Sequence, residues 1–128
     1  MSKIKVLVLT PSKRNPQVVL GKFTYMEPDR EKIYAAIGGA SRYRERLDTS
    51  FGNFLVMYNV DLTVRAPRCT CAFVNQWLEW TCIDGTVVIA RYTEKDGDYQ
   101  LHSLEQGDGA KLREYLRDQY SQFTGGKH

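Results

Sequence analysis

From Asn53 to Leu104 the chain is a succession of short apolar or alternating runs, each stopped by turn chemistry, and this pattern most restricts its fold. Phe54 to Val60 (FLVMYNV), Leu62 to Arg65 (LTVR), Cys69 to Val74 (CTCAFV) and Thr86 to Tyr92 (TVVIARY) are punctuated by Asn59, Ala66-Pro67, Asn75-Gln76 and Asp84-Gly85. Runs of this length, rich in β-branched and aromatic residues, read as strands. Asp96-Gly97-Asp98 is a strong turn signal, so TVVIARY is expected to pair with Tyr99 to Leu104 (YQLHSL) as a hairpin.

The flanks add two helices and an earlier hairpin. Lys3 to Thr10 (KIKVLVLT), the turn segment PSKRNP and Gln17 to Phe23 (QVVLGKF) predict strand, turn and strand. Pro28 and Asp29 open a short helix whose expected apolar face is Ile33, Ala36 and Ile37, and Gly38-Gly39 stop it. After Asp108, a candidate cap, the apolar positions Leu112, Tyr115, Leu116, Tyr120 and Phe123 recur every three or four residues, with Gln119 on the same face, and predict a C-terminal helix. The expected class is α+β: an antiparallel or mixed sheet of about five to seven strands, with the helices packed on one face.

With 128 residues, 42% hydrophobic and 26% charged, this is expected to be one folded domain over residues 1–124 with a short tail, 125–128. The apolar run Val6 to Leu9 is too short for a signal peptide or a membrane span. A cytoplasmic setting without a membrane partner is therefore expected. Three cysteines cannot all pair, which favours reduced thiols.

Both tryptophans and every cysteine fall within CTCAFVNQWLEWTCIDG, residues 69–85. Cys69 and Cys71 in a strand project to one face about 7 Å apart, poor for zinc, whose ligand pairs come from a tight knuckle. Cys82 with His102 is a conceivable nucleophile and base, but nothing in the spacing demands it. No P-loop, dinucleotide fingerprint or EF-hand pattern is present. The segment is expected to be strand, turn and strand, with buried cysteines and one tryptophan in the core. No catalytic residue, metal or cofactor is assigned, and a non-enzymatic protein is expected.

What remains is recognition. Residues 1–68 carry 12 Lys and Arg against 6 Asp and Glu, whereas residues 69–128 carry 6 against 9. If SRYRERLD is extended, Arg42, Arg44 and Arg46 share one side and Tyr43, Glu45 and Leu47 the other; if helical, the arginines spread over more than half the surface. Arg65 and Arg68 flank the Ala-Pro turn, while Trp77 and Trp80 are interface-forming residue types. The candidate binding residues are therefore Arg42, Tyr43, Arg44, Arg46, Arg65, Arg68, Trp77 and Trp80. They suit a protein surface, or alternatively nucleic acid, with arginines on phosphates and rings stacking on bases. A third class is a module that sequesters a nucleotide-like ligand near the aromatic residues.

The first strand KVLVLTPSKRNPQVV, the helix ending in IGG, Asn59-Val-Asp61 and the closing DGTVVIARYTEKDGDYQLHSLEQGD together resemble an uncharacterised domain family. That family comprises small proteins carried by phages, plasmids and integrative elements. The resemblance implies an accessory protein that binds and inhibits a host macromolecule, such as a nuclease or other defence protein, in the host cytoplasm. It supplies no catalytic residues. The oligomeric state is left open, a homodimer included.

Overall fold

The computed structural model describes residues 3–11, 19–38, 42–59, 71–75, 77–83 and 85–123. Among these residues eight strands and two helices follow in the order β1 (Ile4–Pro11), β2 (Val19–Met26), α1 (Arg30–Ile37), β3 (Arg42–Thr49), β4 (Gly52–Asn59), β5 (Cys71–Val74), β6 (Trp80–Ile83), β7 (Val87–Lys95), β8 (Asp98–His102) and α2 (Asp108–Phe123). The class is α+β, as expected. The predicted strand Leu62 to Arg65, the PSKRNP turn and Cys69 lie outside the described residues, apart from Pro11 at the end of β1.

Six strands form one antiparallel sheet in the order β2-β1-β7-β4-β3, with β8 also paired to β7. The long β7 organises it. Its Val88 to Arg91 pair with β4, while on its opposite edge Val87 to Ile89 pair with β1 and Arg91 to Lys95 with β8. The β7–β8 turn is the anticipated one: Lys95 faces Asp98, and Asp96 and Gly97 take φ of 53° and 79°, the left-handed pair that a two-residue hairpin needs.

Alternation along the central strands loads both faces. Leu7, Leu9, Phe54, Val56, Val87 and Ile89 bury one face beneath Leu112 and Leu116 of α2. Ile4, Val6, Leu55, Met57, Val88 and Ala90 bury the other beneath Ile33 and Tyr34 of α1. The sequence suggested helices on one face, but α1 and α2 lie on opposite faces, because a sheet apolar on both sides requires a cover on each. In α1, Asp29 caps the start by accepting from the Glu31 N–H at 2.9 Å, and Gly38 ends it at φ +83°. Its buried residues are Ile33 and Tyr34, whereas Ala36 faces solvent, one position off the expected stripe.

The remaining pair, β5 and β6, forms a separate two-stranded sheet. Cys71, Phe73 and Ile83 join the α2-side core of the main sheet. On its other face Ala72 and Cys82 pack with Tyr120 of α2, and Gln119 accepts from the Val74 N–H at 3.1 Å. Strand, turn and strand, with Cys71 and Cys82 buried, is as expected. The tryptophans are not: Trp77 is 57% exposed and Trp80 40%, so neither is in the core.

Candidate binding surface

The exposure of the tryptophans follows from the turn that carries them. Asn75 ends β5 and folds the chain around its own side chain. Its N–H donates to the Glu79 carbonyl at 2.8 Å, and its carbonyl accepts from the Leu78 N–H at 3.0 Å. Its Oδ1 accepts from the N–H groups of Trp77 at 2.9 Å and Glu79 at 3.1 Å. Asparagine is favoured in turns for this backbone-mimicking bonding.

At the apex Leu78 is held at φ +61°, a left-handed conformation that leucine rarely adopts, with its side chain 86% exposed. The cost of that geometry is of order 1–2 kcal/mol. Trp77, Leu78, Glu79 and Trp80 all face solvent. The tip is thus a convex apolar wedge with one carboxylate on a hydrogen-bonded turn.

The wedge is anchored to the main sheet through a polar chain. Asn75 Nδ2 donates to Thr81 Oγ1 at 3.1 Å, and that hydroxyl donates to Glu45 Oε2 at 2.8 Å. Glu45 is buried on β3, where the Tyr58 phenol also bonds to it. Burial, and then the neighbouring Glu45 carboxylate, push the Tyr58 phenol far above its usual range, so it remains a donor. Thr81 points inward because Glu45 requires donors there, and strand alternation turns Trp80 outward. Trp77 and Trp80 are three apart, so an extended segment would turn one of them inward; the left-handed Leu78 between them breaks that alternation.

The eight candidate residues separate into groups. SRYRERLD is extended as β3, so Tyr43 lies on the face that β6 approaches, exposed and edge-on to Tyr58 with ring centroids 6.0 Å apart. Arg44 and Arg46 project to the α1 side. There the Arg44 guanidinium lies 4.8 Å from the centre of the Tyr99 ring, and Arg46 is beside Tyr92, whose hydroxyl donates to Asp48 at 2.8 Å. Arg42 pairs through its backbone with Asn59. Arg65 and Arg68 lie outside the described residues. The sheet therefore brings Tyr43 to the hairpin side with Trp77 and Trp80 and puts Arg44 and Arg46 on the opposite side. Sequence reasoning missed the exposed apex Leu78 and Asn75, Thr81 and Glu45 as its support; the readable signal was Asn75, two residues before Trp77.

Cys82 and His102, the conceivable nucleophile and base, have different neighbours. Cys82 packs with Ala72 and Tyr120 in the small sheet, while His102, on β8 of the main sheet, has Nε2 2.7 Å from Thr93 Oγ1. Among the described residues no cluster of three His, Cys, Asp or Glu could hold a metal ion, and no helix is long and apolar enough to cross a membrane. What the tip offers is apolar surface held in one conformation, which lowers the ordering cost of binding. No family model, curated protein or solved structure gives a significant match to this chain.

Proposed function

We propose that this chain is a non-enzymatic accessory protein of a phage or mobile element that binds and inhibits a host protein, and that the β5–β6 tip is its capture surface. The observation that carries the binding role is Leu78 in a left-handed conformation at the apex of an Asn75-centred turn, flanked by exposed Trp77 and Trp80. Backbone strain retained at an exposed apolar apex is the kind of feature that clusters at ligand-contacting sites. A convex wedge suits a cleft on its partner, and tryptophan is the residue type most enriched among interface anchors. Glu79, the one charged residue among the four exposed at the tip, selects against phosphate and so favours protein over nucleic acid. The mobile-element setting, and a defence nuclease as the host protein, rest on the family resemblance.

The test is affinity capture from host lysate, scored by difference between variants. Leu78→Asn keeps a residue tolerant of the left-handed region while removing the apolar apex, and Trp77→Ala removes a neighbouring anchor. Both are expected to fold, Leu78→Asn with a gain of about 1 kcal/mol in stability, and to lose a partner that the wild type retains. Equal capture by wild type and both variants would overturn the assignment of the tip. Adding the wild type to that isolated partner should reduce its activity, and an unchanged rate would remove the inhibitory role.

A further inference from the structure

The edge strand β2 has a feature that the binding tip does not use. Lys5 of β1 directs both backbone groups away from β2: its N–H donates to Ser103 Oγ at 2.9 Å and its carbonyl accepts from the Leu104 N–H at 2.9 Å. In an antiparallel ladder orientation alternates, so Lys5 and Leu7 both face the β7–β8 side. Their β2 partners, Tyr25 and Phe23, then direct their own N–H and C=O groups outward from the sheet.

No described strand pairs with that edge. The free stretch is closed at both ends. On one side the Gly21 carbonyl accepts from Arg113 at 2.6 Å, and on the other the Glu27 carbonyl accepts from the Asp29 N–H at 2.7 Å. Between them lie Phe23, 41% exposed, and Tyr25, 62% exposed. Natural edges are usually blunted by proline, bulges or several charges. The register from Val19 to Met26 is unbroken, contains no proline and carries one charge, Lys22.

We infer that the open edge of β2 is a self-pairing surface on which a second copy of this chain docks its own β2, antiparallel, about a two-fold axis at Thr24. The free groups fix the register in which a second copy fits. Phe23 and Tyr25 are symmetric about Thr24, so a two-fold places Phe23 of each copy opposite Tyr25 of the other and satisfies both free N–H and both free C=O groups on each chain. Centring on Phe23 would bring the Arg113-bound Gly21 opposite Tyr25, and centring on Tyr25 would bring Glu27, already turning into α1, opposite Phe23. In the Thr24 register Lys22 faces Met26. The two Lys22 positions are four residues apart along the strands, about 13 Å, beyond the screening length at physiological salt. The result is a sheet continuous through both copies.

The experiment is sedimentation equilibrium of the full chain at about 100 µM, with substitutions that report the register. The wild type should sediment at twice 14.7 kDa. Thr24→Lys sets two ammonium groups directly opposite each other and should shift the species to 14.7 kDa while the chain stays folded. Thr24→Cys puts two thiols at a non-hydrogen-bonded pair, about 4.5 Å between Cα atoms, within disulfide reach. Mild oxidation should therefore yield a covalent dimer that neither Lys22→Cys nor the wild type gives. A wild type at 14.7 kDa overturns the proposal. So does a folded Thr24→Lys that remains dimeric, or Lys22→Cys crosslinking as readily as Thr24→Cys. If Thr24→Lys does not fold, the two cysteine variants decide.

Discussion

Arg91 shows how much one side chain can fasten in a domain of this size. Its guanidinium forms a two-point pair with Asp108, Nε to Oδ2 at 2.6 Å and Nη2 to Oδ1 at 2.9 Å, and Nη2 also donates to the Phe51 carbonyl at 3.1 Å. It thereby ties β7 to the start of α2 and to the β3–β4 turn. A Cβ at Gly52 would lie 2.7 Å from this guanidinium, so glycine makes the approach possible. The sequence suggested Asp108 as a helix cap; it does stand at the helix start, but its carboxylate serves Arg91 and the Glu105 N–H instead. Burial alone would raise the Asp108 carboxyl, yet the Arg91 bonds and the Glu105 N–H together hold it below its usual value. A depressed folded value means that stability is complete above the ordinary aspartate range and is lost as pH falls through the folded value. Arg91→Met should leave Asp108, 4% exposed, without its cation and cost about 3 kcal/mol in urea unfolding at neutral pH. The variant's acid limb should also flatten. An acid limb like that of the wild type would show that the pair does not govern acid stability.

Among the elements, those fixed by local chemistry were readable and those fixed by a distant partner were not. The Asp96-Gly97 hairpin, the Asp29 and Gly38 ends of α1 and the α2 stripe follow from residues within a few positions of one another. The alternation in SRYRERLD separated the arginines from Tyr43 once the segment was known to be extended, which only pairing with β4 decides. The outward tryptophans and inward Thr81 depend on Glu45, 36 positions away. Likewise, the division of the helices between two faces depends on both faces of β4 and β7 being apolar and needing cover. The small sheet should therefore be sensitive at Thr81. Thr81→Val keeps the shape but removes a donor from Glu45 and an acceptor from Asn75, and should cost about 1–3 kcal/mol. Amide hydrogen exchange should accelerate at Trp77 and Glu79 beyond the rise at β1 or β7. A uniform rise across the chain would mean that the tip is not separately anchored.

In the whole molecule, the two faces of one sheet have different covers: α1 on one, α2 with the β5–β6 pair on the other. Arg44 and Arg46 contribute to the α1 side, Tyr43 and the tryptophans to the hairpin side, and the open β2 edge lies at the opposite end of the strand order from β3. β7 stands between β1 and β4, so it joins the hairpin β1–β2 to the hairpin β3–β4. A chain ending at residue 86 should consequently show no cooperative thermal transition, because isolated two-stranded hairpins are marginal in water. A sharp melt from that fragment would show that the first two hairpins associate without their divider. During synthesis the same arrangement imposes a wait. Both early hairpins leave the ribosome well before the strand that unites them, residues 87–95, and their α2-side faces remain uncovered until residues 108–123 have emerged. The interval between the first strand and the helix that covers it is therefore the period in which the nascent chain is most open to aggregation and to chaperones.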